Sequence, residues 1–213
     1  MCGIYGLAFA DGKLVKPEML KKFGDKMIHR GPDDSGYYIN QSCGIGMRRL
    51  SIIDLTGGHQ PISDPTGNIQ VVLNGEIYNY QELREDLINK GCKFRTQSDV
   101  ETLVYLYKVY GREGIHKLNG MFSFALYDNE LKELWIARDR LGIKPLFYYH
   151  KNKSFGFSSD LNAIASFFSS EVSEQSIIDY LGYSYIPAPN SMYKDIYKLL
   201  PGEEILLSTK DLS

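Results

Sequence analysis

Cys2 occupies a position that gives a cysteine an unusual chemical opportunity. Methionine aminopeptidases remove an initiator Met when the next residue is small, so processing would leave Cys2 with a thiol and a free α-amine on one Cα. A nucleophile needs an adjacent base, and an α-amine that titrates at about 7.7–8.0 supplies one. Small cysteines are also common as inert packing residues. Position alone favours the packing interpretation of Cys2 until the rest of the chain is considered.

Three charged residues lie on predicted strands or helices. A predicted strand over 43–53 contains Arg48 and Arg49, whose side chains alternate to opposite faces, so one of them can point into a site while the other points outward. Asp99 falls in the first turn of a helix predicted to begin at Ser98. A carboxylate there interacts favourably with the helix dipole, and this structural role is the alternative to a functional one.

The segment Asn74-Gly75-Glu76 follows the β-rich run 69–73. Asn-Gly is a common signal for a hairpin turn, which gives the segment a purely structural interpretation. The residues after it read as a helix over 79–90, not as the second strand of a hairpin. The sequence therefore favours a strand end that delivers an amide, a backbone N–H and a carboxylate to one place.

Composition narrows the class of protein. With 213 residues, 43% hydrophobic and 13% aromatic content, the chain can build a substantial core, and a net charge of -2 with 24 dispersed basic residues gives no indication of nucleic-acid or membrane binding. No apolar run reaches the length of a membrane span, and the N-terminus lacks the features of a signal peptide. Three widely spaced cysteines without a C-x-x-C fit a reducing cytosol and indicate neither disulfides nor a zinc site.

The elements that must position these residues alternate irregularly between strands and helices. Strands are predicted over 3–9, 36–40, 43–53, 69–73, 92–95, 121–127, 133–137, 145–149, 154–158 and 203–207. Helices are predicted over 17–28, 79–90, from 98 onward, near 112–118, over 160–168 and over 173–183, with a long loop over 55–68. Apparently antiparallel strands mixed with paired helices predict an α+β layered domain.

Six short motifs occur together in one order and cover nearly the whole chain. They are Cys2-Gly3-Ile4, His29-Arg30-Gly31-Pro32-Asp33, Arg49-Leu50-Ser51-Ile52-Ile53-Asp54, Asn74-Gly75-Glu76-Ile77-Tyr78-Asn79, Ser98-Asp99 and Arg138-Asp139-x-x-Gly142-Ile143-x-Pro145-Leu146. On this set the chain resembles the glutaminase domain of class II glutamine amidotransferases, in particular that of glutamine-hydrolysing asparagine synthetases. The resemblance implies the N-terminal nucleophile hydrolase fold, a four-layer αββα sandwich of two antiparallel sheets.

The resemblance also implies a role for each matching residue. Cys2 attacks the side-chain amide of L-glutamine, and the Asn74 amide and Gly75 N–H stabilise the oxyanion. Arg49 binds the substrate α-carboxylate. The planar guanidinium group of arginine suits a carboxylate better than the ammonium group of a lysine does. Asp99 and Glu76 face the α-ammonium. The backbone of Leu50, Ser51, Ile52 and Ile53 lines the pocket.

Beyond the glutaminase domain, assigned to residues 1–185, the resemblance implies a connector over 186–213 towards an ATP-dependent synthetase domain. The Ser-Gly-Gly-x-Asp-Ser loop of that domain does not occur before Ser213, so we interpret the chain as a fragment. No cofactor or metal is expected in this chain, and ATP and Mg are expected only for the synthetase domain. The expected partners are L-glutamine and that domain in the cytoplasm, without nucleic acid or membrane, and a homodimer is compatible with the resemblance.

Two other functions stay open at this point. The same glutaminase chemistry can feed a different ammonia acceptor, or the fold can serve as a non-catalytic regulatory domain. Loss of Cys2, Arg49, Asn74 or Asp99 would favour the non-catalytic function, and all four are present. The sequence therefore favours an enzyme that releases ammonia from glutamine.

Overall fold

The computed structural model of the chain describes residues 2–50 and 58–213. In chain order the strands are β1 Gly3–Phe9, β2 Asp34–Asn40, β3 Cys43–Arg49, β4 Ile62–Ser63, β5 Ile69–Ile77, β6 Gly120–Asp128, β7 Glu133–Arg138, β8 Phe147–Lys151, β9 Ser154–Ser158, β10 Ile196–Lys198 and β11 Glu204–Ser208. The helices are α1 Pro17–Asp25, α2 Tyr80–Asn89, α3 Asp99–Tyr110, α4 Leu161–Phe168 and α5 Glu174–Tyr183, with a 3-10 helix over Gly111–Lys117.

These strands form two sheets in which each recorded pair is antiparallel. One sheet has six strands in the order β10-β8-β9-β1-β3-β2, and the other has five in the order β11-β7-β6-β5-β4. In the six-stranded sheet β1 lies between β3 and β9, and in the five-stranded sheet β6 lies between β5 and β7. The predicted antiparallel arrangement is confirmed.

Three apolar cores separate four layers. The inner core joins the facing sides of the two sheets and includes Ile4, Ala8, Ile45 and Met47 from one sheet and Val72, Ala125, Leu134 and Ile136 from the other. A second core packs α2 and α3 on the outer face of the five-stranded sheet. A third packs α1 and α4 on the outer face of the six-stranded sheet. Successive side chains of a strand point to opposite faces of the sheet. A strand that is covered on both faces therefore has apolar residues at nearly every position of its sequence.

This alternation determines which polar side chains enter the space between the sheets. Arg49 is two residues from Met47 on β3, and Asn74 is two residues from Val72 on β5, so both share the inner face of their strand. Cys2, just before β1, packs against the same inner core. Arg48 takes the opposite face of β3 and pairs with Asp25 at the end of α1.

The strand predicted over 69–73 is too short, and the alternative interpretation of Asn74-Gly75 as a hairpin turn is wrong as well. β5 continues through both residues to Ile77, and its ladder with β6 pairs Asn74 with Ser123 and Gly75 with Phe122. The local turn preference of Asn-Gly is outweighed by nine consecutive residues of β5 that find partners on β6.

Other sequence predictions need correction as well. The strand expected over 92–95 is absent, and this segment runs as turn and coil between α2 and α3. The long loop over 55–68 contains the two-residue β4, which completes one edge of its sheet. In the described ranges, no helix is long and apolar enough to cross a membrane.

Residues beyond 185 contribute an edge strand to each sheet. Here β10 pairs with β8, and β11 pairs with β7. The Trp135 indole donates a hydrogen bond to the Glu204 carboxylate over 2.6 Å, which adds a side-chain contact to the second pairing. The division of the chain at 185/186 stays a prediction.

Candidate active site

A cavity of about 220 Å³ opens at the place where the inner faces of the two sheets carry polar side chains. The six-stranded sheet supplies Cys2, Arg49 and Leu50, and the five-stranded sheet supplies Leu73, Asn74, Gly75 and Glu76. The remaining lining residues are Gly58, Gln60, Ser98, Asp99, Val100, Met121 and Lys144. The described sequence-predicted site residues therefore meet in one cavity.

The Cys2 thiol lies against the end of β3. Its Sγ is 3.4 Å from the backbone nitrogen of Leu50 and 3.6 Å from the carbonyl oxygen of the same residue. The Cys2 carbonyl accepts a hydrogen bond from the Arg30 Nε over 3.1 Å. These contacts fix the thiol and the backbone of a residue that lies just outside the ladder of β1.

Asn74 presents its amide from the middle of a buried strand. The side chain is 1% exposed, and its Nδ2 donates to the Ser159 Oγ over 3.3 Å. One N–H of the amide is thereby used within the protein, and the second is available to a group in the cavity.

Gly75 brings its backbone close to the cavity because it has no side chain. Its φ is 149°, a value that L side chains rarely adopt, and a Cβ added there would lie 2.1 Å from the Met121 carbonyl oxygen. A residue with a Cβ would have to push β5 and β6 apart. Glycine at this position therefore keeps the backbone N–H of β5 at the edge of the cavity.

Two carboxylates give the cavity an acidic part. Asp99 is the first residue of α3, a helix capped by the Ser98 hydroxyl, and its Oδ2 accepts from the Ile77 N–H over 3.0 Å. Burial raises the pKa of Asp99, and the negative charge of Glu76 raises it further against the opposing hydrogen bond from Ile77. The surroundings of Asp99 therefore disfavour its ionised form, and a cationic ligand would stabilise it.

Arg49 gives the same cavity a cation. It is 7% exposed, whereas Arg48 beside it donates through Nε to the Gly24 carbonyl on the other face of β3. The cavity lining thus combines Arg49 and Lys144, two carboxylates, a thiol and the two amides of Asn74 and Gln60. An α-amino acid with a polar side chain is complementary to that set.

Comparison with known proteins agrees with this chemistry. The sequence matches the family profile described as "Glutamine amidotransferase domain" over residues 1–213. The chain belongs to this family.

Curated relatives share enough sequence to be aligned over most of the amidotransferase domain. Asparagine synthetase [glutamine-hydrolyzing] 1 of Bacillus subtilis (strain 168) is 36% identical over 212 residues, which cover 97% of this chain and 33% of that protein. Asparagine synthetase [glutamine-hydrolyzing] 2 of the same organism is 41% identical over 169 residues, which cover 78% of this chain and 22% of that protein. The chain thus spans a third or less of the length of these two relatives.

Solved structures confirm the fold. The glutamine phosphoribosylpyrophosphate amidotransferase of B. subtilis, complexed with ADP and GMP, superimposes with a TM-score of 0.74 at 18% identity, covering 100% of this chain and 48% of that one. The structure titled as the allosteric regulatory enzyme of purine biosynthesis gives 0.72 at 19% identity, with 97% and 47% covered. The predicted αββα sandwich of two antiparallel sheets is therefore confirmed, and so is membership of an enzymatic glutamine amidotransferase family.

Three of the predicted site residues cannot be placed. Ser51, Ile52 and Ile53 lie outside the described residues, so their expected lining role stays a prediction. Leu50, next to them, does line the cavity.

The amidotransferase domain also brings in residues to which the sequence analysis gave no role. Lys144 belongs to the Arg138-Asp139 motif, and the buried Asp139 carboxylate fixes it by accepting from the Lys144 N–H over 3.0 Å. Gln60 holds β5 by accepting from the Leu73 N–H over 2.7 Å. Lys144 occupies an unspecified position of that motif, so nothing local in the sequence singles out either Lys144 or Gln60.

The other two cysteines of the amidotransferase domain lie away from the cavity lining. Cys43 is buried in the inner core, and burial strongly raises the pKa of its thiol. Burial also raises the pKa of Cys92, which packs on the outer core with α2 and α3. A thiol with a raised pKa is a poor nucleophile at neutral pH, so of the three cysteines Cys2 has the setting that fits attack on a substrate.

Proposed function

We propose that this domain hydrolyses the side-chain amide of L-glutamine to glutamate and ammonia through a thioester on Cys2. The observation that carries the proposal is the meeting of Cys2, Asn74 and the charges of Arg49, Glu76 and Asp99 in one cavity. A nucleophile and an amide donor suit acyl transfer, and the opposite charges suit the two ends of an α-amino acid.

The reaction begins when the α-amine of a processed Cys2 takes the thiol proton and Sγ attacks the amide carbon. The carbonyl oxygen becomes negative, and the Asn74 amide and the Gly75 N–H donate hydrogen bonds to it. The intermediate then expels ammonia, whose additional proton comes from the α-ammonium of Cys2. Water attacks the resulting thioester, returns a proton to sulfur and releases glutamate.

Recognition of the substrate uses the charged residues. Arg49 pairs with the α-carboxylate, and Asp99 with Glu76 faces the α-ammonium. The raised pKa of Asp99 supports this assignment, because a bound cation stabilises the charge that burial disfavours.

The identity of the ammonia acceptor is inferred from the aligned relatives, because the residues of this cavity do not specify it. The aligned relatives are named glutamine-hydrolysing asparagine synthetases and are longer than this chain. We therefore infer that the domain supplies ammonia for asparagine synthesis by an ATP- and Mg-dependent domain of the same protein, in the cytoplasm.

The decisive test is glutamate release from glutamine by the purified chain. Chain lacking Met1, established by intact mass, should be active, and chain shown to keep Met1 should be inactive because its Cys2 nitrogen is an amide. Cys2→Ala should abolish turnover while calorimetry still detects glutamine binding. Cys43→Ala and Cys92→Ala serve as matched controls and should stay active. Full turnover by a Met1-retaining chain or by Cys2→Ala would overturn the proposal.

A further inference from the structure

Ser159 connects the strand that carries the nucleophile with the side chain expected to bind the oxyanion. It lies between β9 and α4, is 1% exposed and does not line the cavity. Its backbone N–H donates to the Ile4 carbonyl over 2.9 Å, which attaches it to β1 two residues from Cys2.

The Ser159 hydroxyl makes two further contacts as an acceptor. Its Oγ receives the Ile4 N–H over 3.1 Å and the Asn74 Nδ2 over 3.3 Å. A hydroxyl has two acceptor lone pairs, and here one accepts from a backbone N–H and the other from a side-chain amide. Through a single atom, the start of β1 and the amide of Asn74 are held at a fixed separation.

The start of α4 does not account for this hydroxyl. Asp160 caps the helix by accepting from the Ala163 N–H over 2.8 Å, and the Ser158 hydroxyl accepts from the Asp160 N–H over 3.0 Å. The Ser158 hydroxyl also donates to the Met27 Sδ over 3.2 Å, on the outer side of the sheet. Two residues of the Ser-Ser-Asp segment thus serve the helix start, and the Ser159 hydroxyl serves the inner face.

We propose that Ser159 is a positioning residue for glutamine hydrolysis, which sets the rotation of the Asn74 amide relative to Cys2. The inference rests on the proposed function. An amide turned the other way would present its oxygen to the cavity and repel an oxyanion. With one N–H of Nδ2 engaged by Ser159, the same nitrogen keeps a second N–H for a group in the cavity that Asn74 lines.

The inference predicts a specific kinetic pattern for Ser159→Ala. Because Asn74 acts on charge that develops during reaction, kcat should fall by about 10- to 100-fold while KM changes by less than about twofold. Ser158→Ala, which removes the neighbouring buried hydroxyl, should keep kcat within about twofold. Circular dichroism and thermal unfolding check that both variants fold.

A double-mutant cycle separates positioning from a general structural role. If Ser159 acts through Asn74, then Ser159→Ala should cost less than about threefold in kcat when Asn74 is already Ala. Equal losses of kcat in both backgrounds would overturn the inference, and so would Ser159→Ala with wild-type kcat.

A second variant covers the case in which Ser159→Ala does not fold. Ser159→Cys keeps the shape of the side chain but replaces the oxygen by a weak acceptor, so kcat should again fall while KM is retained. Wild-type kcat in a folded Ser159→Cys would contradict the inference. Absence of turnover in the Met1-free wild type, or turnover by Cys2→Ala, would instead overturn the proposed function, so the two failures are distinguishable.

Discussion

The cavity lining contains a reactive set, Cys2, Asn74 and Gly75, and a charged set, Arg49, Glu76 and Asp99. Neutral hydrogen bonds hold two members of the reactive set, since Cys2 contacts the Leu50 backbone and Asn74 contacts Ser159. Gly75 is placed by its register with Phe122 in the β5–β6 ladder. In the charged set, burial and the charge of Glu76 both raise the pKa of Asp99, so the ionised form of this one carboxylate is disfavoured. The comparison indicates that the protein fixes the positions of the reactive residues, whereas the charged residues favour a ligand that carries the opposite charges.

After the complete loss of turnover expected for Cys2→Ala, the largest effect within this comparison is expected for Asn74→Ala. The variant removes a donor to an oxygen that is charged only during reaction, so kcat should fall by about 10²–10³-fold. KM should change little, because the ground-state amide gains less from that donor. Steady-state kinetics on the Met1-free chain measures both values.

A control must show that Asn74→Ala still folds, because Asn74 is 1% exposed and pairs with Ser123 on β6. Its backbone hydrogen bonds do not depend on the side chain, so circular dichroism should be unchanged. A raised KM with an unchanged kcat would move Asn74 from the reactive set to substrate binding.

The position of Asn74 also shows how far the sequence alone reaches. Motif order led to the correct fold and to the residues that meet in the cavity, and apolar alternation placed Arg49 opposite Arg48. The C-terminal end of β5 could not be predicted from the sequence, because Asn-Gly is a signal for a turn. The strand continues through these residues because they pair with β6. A local sequence pattern does not show with which distant strand a segment such as β5 will pair.

Ser159 illustrates the second limit. In the sequence, Ser158-Ser159-Asp160 is a helix start, and two of the three residues do serve it. The contact of Ser159 with Asn74 joins residues 85 positions apart, so no spacing rule reveals it. Single polar contacts between distant segments require the folded structure.

A smaller effect, confined to KM, is expected for Arg49→Ala. A hydrogen-bonded charge contributes about 1.5–3 kcal/mol, which corresponds to roughly a 10- to 100-fold rise in KM, with kcat changed much less because the α-carboxylate does not react. Arg48→Ala is the matched control, since Arg48 contacts Gly24 and Asp25 outside the cavity, and it should leave KM unchanged. A fall in kcat alone for Arg49→Ala would contradict its place in the charged set.

The smallest effect is expected for the acid dependence of glutamine binding. In a Cys2→Ala background, which removes turnover, calorimetry reports the dissociation constant directly. Because the pKa of Asp99 is raised, its carboxylate should take up a proton at a higher pH than an ordinary aspartate. Attraction for the α-ammonium is present above that pKa and is lost as the pH falls through it, so the dissociation constant should rise by up to about tenfold.

Two variants sharpen this titration. Asp99→Asn should weaken binding at neutral pH and remove the dependence, because an amide does not titrate in this range. Glu76→Gln should keep the dependence but move its midpoint to lower pH, since the Glu76 charge helps to raise the pKa of Asp99. The same midpoint in Glu76→Gln as in the parent would mean that burial alone sets the Asp99 pKa. An unchanged pH dependence in Asp99→Asn would remove Asp99 from the ammonium site and leave Glu76 as its carboxylate.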